Sequence, residues 1–195
     1  KMDEAFEELT KTAEAMKNFR TNVLASYDGL QSLVSRIKNN TSIKNPALLM
    51  DDGSVFISKE EITNFVGLPI DFAIAEGRKY VDRIDSVSFS SNNSMIVFGV
   101  PFEYEEGISR VKGLLSFFDI SEFASSLFLN SFLSSAYFAV VTQKGTKICD
   151  NGSDSFTYFS GNNIFNQLDK DNLIDYENTL RHSFDEEDKN ISLFH

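Results

Sequence analysis

From Met2 to Ile37 the apolar side chains recur every three or four residues: Phe6, Leu9, Ala13 and Met16, then Val23, Tyr27, Leu30, Val34 and Ile37, with Arg20 interrupting the row. That spacing puts them on one stripe of a helix, because 3.6 residues complete a turn. Phe19, Leu24 and Leu33 widen the stripe. No proline occurs before Pro46, Gly29 is the one weak helix former, and Asn39 and Asn40 supply a stop because Asn tolerates left-handed geometry. The pattern predicts one helix over 2–38, about ten turns long. No second helical pattern of that length follows to bundle with it. The helix therefore needs a domain to lie on, and its heptad also offers a seam for a second copy of the chain.

After Pro46 the period changes. Ala47 to Met50 is apolar, Asp51-Asp52-Gly53 is a turn signal, and Ser54 to Ser58 resumes as a strand, which makes a hairpin. Lys59 to Ala75 has helical character interrupted at Gly67 and Pro69. Tyr80 to Phe89 has strand composition and Ser90 to Ser94 is a polar turn. Two strongly apolar strands follow, Met95 to Phe102 and Ile108 to Phe118, joined by a charged turn and closed by Asp119. Alternation puts Phe98 on a face with Ile96 and Val100, and Met95, Val97 and Gly99 on the other. Ser121 to Phe132 returns to helix.

The hairpin then recurs. AVVTQKGTKIC at 139–149 lines up with ALLMDDGSVFI at 47–57: apolar strand, three-residue turn with Gly in third place, second strand. Gly53 and Gly145 fit a turn that needs positive φ. A helix precedes both hairpins, so the chain reads as two related modules. The residues after the second hairpin are mostly polar and acidic, with one strand-like stretch at Ile191 to Phe194. The fold class is thus α+β: a long N-terminal helix carrying two antiparallel-sheet modules, the second without its closing strands. The boundaries expected are 1–40 for the helix, 41–132 for the first module with its linking helix, and 133–195 for the partial second module.

Several chemistries are disfavoured. The 195 residues, 42% of them hydrophobic, are enough to bury a core. With 18 Lys and Arg scattered among 29 Asp and Glu, the net charge of -11 opposes nucleic-acid binding, because neutralising phosphates needs clustered cations. Cys149 is the single cysteine, so no intrachain disulfide can form, and on a strand end it reads as a half-buried thiol. His182 and His195 are too isolated for a zinc site. Asp150 to Asp154 and Asp169-Lys-Asp171 lack the spacing of a calcium loop. No nucleophile elbow or phosphate-cradling loop is present, and no enzyme activity or cofactor is expected. No run reaches the roughly 20 apolar residues of a membrane span. Asn40, Asn92 and Asn190 each begin a glycosylation triplet, a pattern short enough to arise by chance.

Four segments carry a resemblance: Phe72-Ala-Ile-Ala-Glu-Gly77, Met95-Ile-Val-Phe-Gly-Val-Pro101, Gly113-Leu-Leu-Ser-Phe-Phe-Asp119-Ile120, and Ala136-Tyr137-Phe138 through Lys144-Gly145-Thr146. In this order behind a long helix they resemble the double Cache extracytoplasmic sensor domains of bacterial receptors, whose two PAS-like modules ride on one long helix. The resemblance implies a membrane receptor with an output region such as a diguanylate cyclase, histidine kinase or chemotaxis signalling region. It also implies membrane spans before Lys1 and beyond His195, so that the membrane enters only through segments outside this chain. In similar sensors the membrane-distal module, here about 40–119, binds a small molecule and the long helix relays the change.

Asp119 matches the family's Asp that contacts a ligand amine in amine- and amino-acid-binding members. Capping of the helix that follows, by Asp119 or Ser121, is the reading the residues themselves favour over ligand contact. Phe72, Tyr80, Phe98 and Phe117 are the other candidate pocket residues, although 19 Phe in one chain also serve core packing. Amino-acid-binding members carry an Arg and a Trp before the segment matching Phe72, then a Tyr-x-Asp pair. This chain has no Trp, Pro69-Ile70-Asp71 stands in that place, and Tyr80-Val81-Asp82 lies close to Gly77. Recognition of generic α-amino acids is therefore disfavoured. The other class left open is a structural or protein-interaction module in which the long helix and acidic surface mediate assembly.

Overall fold

A computed structural model describes residues 2–19, 26–84, 95–106, 108–128, 139–142, 145–150, 163 and 165–166. Arg20, Val23, Leu24, the 85–94 segment, Ala136 to Phe138, Lys144, Asp154, Asp169 to Asp171, both histidines, Asn190 and the 191–194 stretch lie outside them. The chain divides into two compact units, Lys1–Phe123 and Ala124–His195.

The first unit begins with helices α1 (Met2–Met16) and α2 (Ser26–Asn40). One uninterrupted helix over 2–38 is thus corrected to two of 15 residues each. After Met16 the chain turns: the Lys17 amide donates to the Glu14 carbonyl at 3.4 Å and the Phe19 amide to the Met16 carbonyl at 2.9 Å. The Phe19 ring then lies under the Arg36 guanidinium, 4.7 Å from its centroid. The physical reason is length. An unbroken helix over 2–38 would run about 55 Å, whereas six strands span only about 24 Å across. Breaking it lets both apolar stripes reach the same sheet. Leu9, Ala13 and Met16 on α1 and Leu30, Leu33, Val34 and Ile37 on α2 are buried. The heptad read as a dimer seam is therefore largely occupied by the chain's own sheet, with Tyr27 left 56% exposed.

That sheet has the order β3-β2-β1-β6-β5-β4, with β1 (Pro46–Met50), β2 (Ser54–Ser58), β3 (Glu61–Asn64), β4 (Tyr80–Ile84), β5 (Met95–Glu106) and β6 (Ser109–Asp119). Every pairing in it is antiparallel. Pro46 is tolerated because it opens its strand. The helical character read from Lys59 onward holds only for α3 (Pro69–Ala75). Glu61–Asn64 instead joins β2 as an edge strand through a tight turn at Ser58. Four residues cannot bury a helical stripe there, and the free edge of β2 offers backbone partners.

The two faces of the sheet bury different layers. On one, Phe98 meets Phe6 of α1 edge-on with ring centroids 5.2 Å apart, and Tyr27 of α2 stacks on Phe56 at 5.9 Å. On the other, Ala47, Leu49, Val55, Val97, Leu115 and Phe117 pack with Ile70 and Ile74 of α3 and with Phe65. α3 approaches closely because glycines lie beneath it: a Cβ on Gly113 would stand 2.8 Å from Ile74, and one on Gly99 3.1 Å from Ile70.

The β1–β2 turn needs Gly53, whose φ is +80° and whose amide donates to the Met50 carbonyl at 3.0 Å. A Cβ there would also meet Val66 at 2.5 Å. Gly53→Ala is expected to cost about 1–3 kcal/mol. Urea denaturation checks this, and an unchanged midpoint would mean that the turn changes type at no cost.

Asp119 ends β6, and α4 (Ile120–Phe128) follows. In the second unit, β7 (Ala139–Val141) and β8 (Lys147–Asp150) form the second hairpin. Its Gly145 has φ +79° and donates to the Thr142 carbonyl at 2.8 Å, the same turn device as Gly53. Cys149 is 2% exposed, more deeply buried than the half-buried thiol expected.

Candidate functional site

Strand register decides which candidates can act together. Tyr80 pairs with Gly99, Asp82 with Val97, Val97 with Phe117, and Met95 with Asp119. Directly paired residues share a face, so Tyr80, Asp82, Phe117 and Asp119 all lie on the side of the sheet that carries α3. Phe98 pairs with Ser116 and Val81 on the opposite side. There it packs under α1 and against Phe118 and Phe123, with centroids 5.4 and 5.6 Å away. Phe72 is on α3, but the helix turns Ile70, Ala73 and Ile74 inward and leaves Phe72 59% exposed. Of the five candidates, three share a face, one is across the sheet, and one points outward.

Within the shared face the roles differ. Phe117 is fully buried, edge-on to Phe65 at 6.1 Å, and serves as core. Tyr80 is partly buried, and that burial, with the Asp82 carboxylate beside it, pushes its phenol above the ordinary tyrosine value. Asp82 accepts the Arg83 amide at 2.8 Å. Asp119 accepts the Glu122 amide at 3.0 Å, the geometry of a helix cap. Lys44 pairs with Glu122 at the same helix start.

A second polar feature escaped the sequence reading. Lys112 is the extra residue of β6 between the pairs Leu49–Gly113 and Met50–Val111, a β-bulge. Its ammonium lies 2.8 Å from Asp71 Oδ1 on α3, with the two side chains 17% and 12% exposed. It also donates to the Asp51 carbonyl at 3.1 Å. The Asp71 contact is ionic and not a directed hydrogen bond, since Oδ1 has no hydrogen-bond donor in its buried position. The pair fastens α3 to the sheet. The sequence signal was a lysine within an apolar strand, but only the bulge turns it toward α3.

An antiparallel sheet with its N-terminal helices on one face and a short covering helix on the other is a PAS-like arrangement, the fold expected from the resemblance. Among solved structures, the ligand-binding domain of the Pseudomonas aeruginosa amino-acid chemoreceptor PctC, in complex with GABA, superposes with a TM-score of 0.50 at 11% identity, over 83% of this chain and 77% of that one. The sensory domain of the Campylobacter jejuni chemoreceptor Tlp3 with isoleucine bound matches at a TM-score of 0.47 and 10% identity, over 79% and 66%. This chain thus spans about two thirds of that domain. No family model matches the chain, and neither does any curated protein. Among the described residues no helix is long and apolar enough to cross a membrane.

Proposed function

We propose that this chain is the extracytoplasmic ligand-sensing part of a bacterial transmembrane signalling receptor, without catalytic activity of its own. A small molecule would bind on the α3-covered face of the first unit, and α1 and α2, packed on the opposite face of the same sheet, would relay the change. The reading rests on one observation above others: Tyr80, Asp82 and Asp119 share that face at the β4–β5–β6 end of the sheet, with a phenol and two carboxylates beside an apolar floor. Such sites are mostly apolar with a few placed polar groups. Phe72 and Phe98 stand outside this proposal. A ligand acts by favouring one arrangement of α3 and the sheet over another, by no more than its differential affinity. Pairing of two copies through the N-terminal helix would use the outer face of α1, because the inner stripe is occupied.

Thermal-shift screening with amino acids, amines, carboxylates and nucleobases tests the reading. A true ligand at about a hundred times its Kd adds about 2.7 kcal/mol of stability. Asp119→Ser separates the two roles of that residue, since Ser still caps a helix but carries no carboxylate. Retained stability with the ligand shift abolished is the expected outcome. An unchanged ligand shift in Asp119→Ser would remove Asp119 from the site, and no stabilisation by any compound would favour the interaction-module reading.

A further inference from the structure

At the opposite edge of the sheet, on the face that carries α2, the start of α2, the β1–β2 turn, β3 and residues 108–110 line a groove of about 310 Å³. Phe56 is 1% exposed at its base with the Tyr27 ring stacked on it, interplanar angle 18°. Tyr27, Ile62 and Ile108, three of the large apolar side chains left exposed among the described residues, all line it, and Ile108 is 96% exposed. Clustered exposed apolar groups mark a binding surface. The groove is held in shape from both sides, for the Ile108 amide donates to the Ser26 hydroxyl at 3.3 Å and the Asp51 amide to the Arg110 carbonyl at 3.0 Å.

Charge and size select the occupant. The Asp51 carboxylate has no partner among the described residues, and Asp52, held ionised by the Ser54 hydroxyl and amide, adds a second negative charge. Among the described residues the one lining cation is Arg110, which sits 3.4 Å from Glu105 and is balanced by it. The volume is that of a single small molecule, at the lower end of ligand pockets, and the short lining falls well below the 20–30 residues per side of a stable protein interface. We propose that this groove binds an organic ammonium ion with an apolar body, a quaternary one included, its charge over the Tyr27 ring beside Asp51 and its body against Ile62 and Ile108. Aromatic faces attract such cations without needing an N–H donor. The site is separate from the α3-covered face and does not depend on the function proposed for it.

Benzyltrimethylammonium is the probe, with benzyl alcohol as its uncharged counterpart, in an amide chemical-shift titration of the whole chain. The expected result is shifts at residues 27–28, 51–54 and 108–110, saturating at millimolar probe and weakening with salt, and binding about tenfold weaker for Asp51→Asn. Ile108→Lys, at a position too exposed to disturb folding, should block the probe by placing a like charge in the groove. Asp119→Ser should leave this binding unchanged. Equal binding of benzyl alcohol, shifts at the β4–β6 end that Asp119→Ser abolishes, no saturable shift, or tighter binding of a lysine-rich peptide than of the probe would each overturn the proposal.

Discussion

Phe98→Ala is expected to lower the unfolding free energy of the first unit by about 3–5 kcal/mol. Phe98 has no exposed surface, and its ring meets Phe6 of α1, Phe118 of β6 and Phe123 of α4 at centroid distances of 5.2 to 5.6 Å. Truncation removes the transfer energy of the ring and three oriented aromatic contacts, and leaves a cavity bounded by a helix and a sheet that cannot both collapse into it. Against a total stability of about 5–15 kcal/mol the loss is large. The melting midpoint should fall by on the order of 15 °C. Because Phe98 faces α1 and not α3, ligands of the opposite face should still bind the folded variant. A loss below about 1 kcal/mol would show that α1 closes the gap freely, and so would weaken the view that α1 is firmly seated.

Lys112→Met is expected to cost about 3 kcal/mol, because it strands the Asp71 carboxylate in a nearly dry position. Asp71→Leu alone should destabilise for the mirror reason, leaving a buried ammonium with only the Asp51 carbonyl. The double variant Lys112→Met/Asp71→Leu should recover most of the loss, since replacing both members of a buried pair with apolar groups is often neutral. A double-mutant cycle by chemical denaturation measures this coupling. Additive single effects would show that the pair does not hold α3. The result bears on function, because α3 is the element a ligand on that face must displace or rest against.

Much of this architecture was legible locally. Gly53 and Gly145 each adopt the left-handed φ expected of them, so both hairpins could be read from a few residues. The alternation along Met95 to Val100 correctly separated Phe98 from Val97. What alternation could not supply was the cover for each face. Tyr80, Asp82, Phe117 and Asp119 come together only through the β4–β5–β6 register, which is set by contacts far apart in the chain. Asp82 lies near Gly77 in the chain, and the pairing of β4 with β5 puts it on the face of Phe117 and Asp119. The direction of Lys112 depends on a bulge and so is not written in the alternation of its strand. The groove beneath Tyr27 draws on four separate elements, so no single segment signals it.

The sequence by itself determined the strand and helix stripes and the glycine turns, because periodicity and backbone preference are properties of neighbouring residues. Tertiary structure alone decided that the N-terminal helix breaks after Met16, that Phe98 serves α1 while Phe117 serves α3, and that Lys112 meets Asp71. These depend on which surfaces bury one another, a choice made by the shape of the whole sheet and invisible to any one stretch of chain.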